Sequence, residues 1–141
     1  MLRYQKRKTD ASRLYTILDQ HAATGAGIAL DVSDYRYIVF QVSAALNSSL
    51  TFNFQGSVLD TAPDFSATQS ESNHWDYIAT YDLQTPASVI TGDGGVTLND
   101  SSVASNCRLY CLNVDLIKWV NVSVSSFTDG NVTVKAACAN D

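Results

Sequence analysis

The chain has 141 residues with 45% hydrophobic side chains, a formal net charge of −5, two prolines and three cysteines. That length suits one domain able to bury about two thirds of its unfolded surface, so no second domain is required. The acidic balance argues against a nucleic-acid binder, the odd cysteine number against a complete disulfide framework, and no apolar run approaches the ~20 residues of a membrane helix.

In chain order the first feature is a basic segment. Residues 1–20 hold Arg3, Lys6, Arg7, Lys8 and Arg13 against Asp10 and Asp19, whereas the rest of the chain carries four basic and twelve acidic side chains. With few apolar residues, residues 1–27 read as an extended basic N-terminal arm on an acidic body formed by residues 28–141. Such an arm suits a partner's acidic surface, its basic residues meeting charge while Leu14, Tyr15, Ile17 and Leu18 fill an apolar groove. No charged, apolar and small-residue pattern follows Met1, so no secretory signal is expected, and synthesis in the cytoplasm fits three reduced thiols.

The next feature is an internal echo. Residues 32–55 reappear 82 positions later as residues 114–137, with four of the 24 pairs identical and many more alike: Arg36 with Lys118, Tyr37 with Trp119, Ile38 with Val120, Phe40 with Val122, Thr51 with Thr133. Ile38, Phe40 and Val42 alternate onto one strand face, as do Leu50, Phe52 and Phe54; Val120, Val122, Val124, Val132 and Val134 repeat the pattern. Asn47-Ser48 and Asp129-Gly130 sit at matching places in the short connectors, where positive φ is tolerated. Both copies therefore read as β-hairpins whose apolar faces pack across a sandwich core. Further strands are expected at about 75–83, 89–91 and 108–114, separated by a long loop at 57–73 and a Gly-rich one at 91–106. The fold class is all-β, an antiparallel β-sandwich or jelly-roll-like single domain of six to eight strands.

Candidate chemistry is sparse, and no catalytic, cofactor-binding or metal site is assigned. His74 has no nucleophile context, and Asp60, Asp64 and Glu71 read as solvated loop carboxylates. Cys107 and Cys111 share a strand face, but His21 and His74 are too distant in sequence to complete a zinc site; Cys107, Cys111 and Cys138 read as thiols of the core. Asp93 and Asp100 could meet a calcium ion only in a pattern too loose to assign. Chance in a Ser- and Thr-rich chain explains the sequons at Asn47, Asn99, Asn121 and Asn131. An enzyme is not expected.

Aromatic residues on the outward strand faces are more telling. Tyr35, Tyr37, Trp75 and Trp119 fit either a protein interface or a glycan-stacking platform, the alternative being that the chain's own loops cover them.

The run from Leu109 to Ala137, with Val114-Asp, Lys118 inside a Val-rich strand, Ser126-Phe-Thr-Asp-Gly130 and a closing Thr133-Val strand, resembles small β-sandwich virion proteins of tailed bacteriophages. Phe52-Asn-Phe-Gln-Gly-Ser57 and Trp75-Asp-Tyr-Ile78 are similar to the middle of that pattern, so the likeness covers about residues 30–138. It implies packing and no functional residues. It also implies a capsid decoration (cement) protein that binds the major capsid protein or another virion protein on the capsid surface, as a homo-oligomer, with a trimer favoured. Nucleic acid, membrane and cofactor are not expected as partners. The alternatives are a carbohydrate-binding or adhesin module, or a tail or neck component of the virion.

Overall fold

A computed structural model describes residues 13–99 and 107–139. Within them lie twelve strands: β1 Arg13–His21, β2 Gly25–Ala26, β3 Leu30–Asp31, β4 Tyr37–Ala44, β5 Ser49–Ser57, β6 Asp76–Tyr77, β7 Thr80–Asp82, β8 Val89–Ile90, β9 Val96–Asn99, β10 Cys107–Asn113, β11 Trp119–Asp129 and β12 Val132–Ala139. They build two sheets. The first runs β1-β12-β4-β10-β7-β8; the second runs β2-β11-β5-β6, with β3 also on β11 and β9 also on β5. All pairings are antiparallel. No helix among the described residues is long and apolar enough to cross a membrane.

If the short β6, β7 and β8 are set aside and β2 with β3 is taken as one interrupted strand, eight strands remain. The first, last, third and sixth form one sheet, and the second, seventh, fourth and fifth the other, which is the order of a jelly roll.

The core is the one the alternation predicts. Ile38, Phe40 and Val42 of β4 meet Phe52 and Phe54 of β5 and Val120, Val122 and Val124 of β11, all at most 3% exposed. Phe40 and Phe54 lie 4.8 Å apart by ring centroid, and Tyr110 closes on Phe54 at 5.4 Å. Each such side chain contributes about 1.5–3 kcal/mol through burial.

The two hairpins expected at residues 32–55 and 114–137 do not form. β4 and β5 stand in different sheets, as do β11 and β12, so each copy is an arch that spans the core. β4 pairs with β12 and β5 with β11. Alternation tells which face of a strand is buried and is silent on which strand lies beside it. The echo itself is structural and has two-fold character. Tyr37 pairs with Ala139; moving Tyr37 forward and Ala139 back by one repeat gives Trp119 and Ser57, which also pair. The same operation carries Ile38 and Leu112 onto Val120 and Leu30, again a pair, so β10 and the interrupted β2–β3 belong to the repeat as well.

The arm is the second correction. Residues 13–21 form β1 on β12, and Ile17 and Leu18 are 3% and 2% exposed in the core. A register shift between Thr16 and Leu18 lets two consecutive residues point inward. That bulge breaks the period-two signal by which a strand is recognised. Residues 1–12, with Arg3, Lys6, Arg7 and Lys8, lie outside the described residues. The Gly-rich loop expected at 91–106 also holds a strand, β9, which pairs with β5.

Candidate functional site

The sandwich presents two outer faces of opposite character. On the first sheet, register brings one residue from each of six strands into a row: Leu14 faces Ala137, Ala137 faces Val39, Val39 faces Cys111, Cys111 faces Tyr81 and Tyr81 faces Val89. With neighbouring strands ~4.8 Å apart, the row is about 24 Å long. Leu14 is 64% exposed, Val89 51% and Tyr81 48%, and the exposed Tyr37 and Leu109 flank them. No charged side chain enters the row. An antiparallel sheet with one face in water ordinarily alternates polar residues there, and a continuous apolar band marks a contact surface.

The outer face of the second sheet is polar, and along its two central strands uncharged. Along β5 and β11 the residues opposite the core are Thr51, Asn53, Gln55 and Ser57, and Trp119, Asn121, Ser123 and Ser125. Residues 58–77 and the turn at 91–95 fold over them, held mainly by hydrogen bonds between side chains and backbone, while β7 and β8 between them join the first sheet. Gln55 Nε2 donates to Phe65 O at 3.2 Å, Ser57 Oγ to His74 O at 2.7 Å, Trp119 Nε1 to Leu59 O at 3.1 Å and Asn53 Nδ2 to Gly92 O at 2.9 Å. The Lys118 ammonium meets the Asp60 carboxylate, and that hydrogen bond is the main reason Asp60 is held below its usual range. Asp64 is likewise lowered, chiefly by the Ser66 hydroxyl.

The covering is incomplete. A cleft of about 510 Å³ remains between Thr24–Ala26 on one side and Phe65–Gln69, Trp75 and Tyr77 on the other, floored by Gln55, Ser123 and Ser125. Gln55 is 2% exposed, and its Oε1 receives no hydrogen bond.

The residues expected to form one aromatic platform are dispersed. Tyr37 belongs to the first sheet's outer face and Trp119 to the second's, because the copies they occupy are arches. Tyr35 packs against the core and shares a 2.8 Å hydroxyl hydrogen bond with Tyr15. Trp75 is 7% exposed, packed edge-on to Tyr77 at 5.2 Å with its indole N–H on Ala67 O, so it offers no open ring face. Among the residues assigned to partner binding, Arg13 pairs across from Cys138, Leu14 heads the apolar row, Tyr15 is half-buried and Leu18 is core. The row members Val39, Cys111, Tyr81 and Val89, and the cleft residues Gln55, Ser123 and Ser125, do not stand out in the sequence as a site. The signal for the cleft residues lies in the alternations Phe52-Asn-Phe-Gln and Val120-Asn-Val-Ser-Val-Ser, where amides and hydroxyls without charge take every outward place.

Ionisable chemistry elsewhere is modest. Burial, and next the Asp82 charge, push Tyr110 up to about 12 against the opposing influence of Arg108, and burial pushes the Cys138 thiol up to about 11. Cys107 is exposed and Cys111 half-buried. No three His, Cys, Asp or Glu side chains gather as metal ligands among the described residues.

No protein-family model matches the chain, and no curated protein does. Two solved structures share the fold. The crystal structure of SPBc2 prophage-derived protein YomS superposes with a TM-score of 0.67 at 14% identity, over 92% of this chain and 93% of that one. The crystal structure of PBSX exported protein XepA gives 0.65 at 15% identity, over 90% of this chain and 37% of that one, so the chain spans little more than a third of XepA.

Proposed function

We propose that this protein is a structural component of a bacteriophage particle that works by attachment, and that its station is the capsid surface, as a decoration protein bound to the major capsid protein. The observation that carries this reading is the apolar row across the first sheet, an extended area of contact chemistry on the outside of the sandwich. The likeness to a prophage-derived protein over nearly the full length of both chains supports the phage setting. The basic residues Arg3, Lys6, Arg7, Lys8 and Arg13 supply complementary charge for an acidic shell. Copies associate on the shell as a homo-oligomer, a trimer in the first instance. Many weak, identical contacts on one lattice add up to firm attachment through effective concentration.

The test is the copy number of the protein in purified particles, measured by quantitative mass spectrometry against the major capsid protein. Comparable numbers of the two place it on the shell. A few copies per particle move it to the neck or tail and remove the decoration reading, and absence from particles removes the virion reading altogether.

A further inference from the structure

The cleft on the second sheet lies on the opposite side of the sandwich from the apolar row, so whatever attaches the protein by that row leaves the cleft open. Its lining carries no Asp, Glu, Lys, Arg or His. Charge therefore gives a phosphate, a carboxylate ligand or a cation nothing to pair with, and a ligand here is neutral. Its volume falls within the roughly 300–1,000 Å³ of small-molecule sites.

The polar groups specify more. Gln55 is held by its own Nε2–H bond to Phe65 O, which fixes the amide so that Oε1 is the free end. A buried carbonyl without a donor is a costly arrangement; Oε1 has almost no exposed surface, so a hydroxyl or N–H from outside the chain relieves it as the cleft widens around the amide. Ser125 Oγ already donates to Asn53 Oδ1 at 2.7 Å, so towards the cleft it acts as an acceptor. The half-buried Ser123 hydroxyl beside it can donate or accept. On the wall, the ring of Tyr77 is half-buried and held edge-on by Trp75, giving a rigid apolar edge next to the polar floor.

A floor that mostly accepts, one amphoteric hydroxyl and an aromatic wall together match a molecule that presents several hydroxyls and also a C–H surface. We propose that this cleft binds a neutral saccharide, with a sugar hydroxyl donating to Gln55 Oε1 and a second hydroxyl bonded to Ser123. The site differs from the aromatic platform expected at Tyr35, Tyr37, Trp75 and Trp119: Trp75 serves as buried support and the recognition falls to side chains of β5 and β11. On a phage particle the arrangement would turn one face of the sandwich to the particle and the other to a glycan. The cleft itself does not depend on that setting.

The experiment is saturation-transfer NMR on the full chain with neutral cello-, malto-, galacto- and chito-oligosaccharides, and with anionic uronate oligomers. The expected result is transfer to one neutral series, with affinity reduced about tenfold or more in Gln55→Leu and in Ser123→Val, the loss of one hydrogen bond each. Because Ser123 is half-buried, its variant tests the site even if Gln55→Leu fails to fold. Tyr81→Glu, on the opposite face, should bind as the parent does. No transfer at millimolar neutral sugar, a preference for the uronates, or equal binding by Ser123→Val would each overturn the proposal.

Discussion

Ser48 and Gly130 occupy the same place in the two copies of the repeat and lie against one another, as residues on a two-fold axis must. A Cβ built on Gly130 would come 2.6 Å from Ser48 Cα, and the glycine has φ +87°. Ser48 Oγ donates to Ala45 O at 2.6 Å and accepts from Asn131 N at 3.3 Å, so this one hydroxyl stitches the turn of one arch to the turn of the other.

Gly130→Ala should therefore destabilise the protein by about 1–3 kcal/mol, from left-handed backbone strain and a clash that neither turn can relieve. Chemical denaturation measures it. An unchanged midpoint would mean that the two turns are not in contact in solution.

Much of this centre is legible in the sequence. The echo points to Asn47-Ser48 and Asp129-Gly130 as positions of positive φ, and the chain takes it at Asn47 (φ 64°) and Gly130. The inward rows Ile38-Phe40-Val42 and Val120-Val122-Val124 are likewise plain from alternation. Pairing is not. A short polar connector read from sequence leaves a hairpin and an arch equally open, and only the closing of the whole core decides that β4 takes β12 as neighbour. β1 escapes because its bulge at Ile17 sets two apolar residues side by side, and the cleft because uncharged Gln, Ser and Thr carry no spacing rule.

Tyr110 gives the fold a limit at high pH. Its folded pKa of about 12 lies above the unfolded value of 10.0, so the neutral phenol is favoured in the folded state. The associated stability is complete below pH 10 and is lost as pH rises towards 12. Tyr110→Phe should flatten this part of the stability profile followed by urea denaturation at stepped pH, beyond what remains from Cys138, whose raised thiol acts in the same sense.

Thiol accessibility separates the cysteines. Cys107 should react with a bulky thiol reagent at pH 8 in the native protein, and Cys138, fully buried with its thiol pushed up to about 11, only on unfolding. Mass spectrometry of the modified peptides reads this directly. Modification of Cys138 without denaturant would show that β12 opens readily.

Tyr81→Glu combined with Val89→Lys should leave stability within about 0.5 kcal/mol, because both side chains are about half exposed. The same variant should lose its attachment to shells in a pelleting assay. Undiminished pelleting would acquit the apolar row and throw the contact onto other surfaces.

The arches also govern how the molecule comes into being. Among the eight jelly-roll strands, β1 to β5 pair only with β9 to β12, and none pairs with a member of its own half. The first half emerging from the ribosome thus has no sheet to form, and the whole must await β11 and β12. Such long-range closure makes for slow folding and high contact order. It also means that the N-terminal half of one molecule and the C-terminal half of another can make every native strand pairing, so an exchanged dimer at high concentration needs no new contact, only an opened segment between the halves.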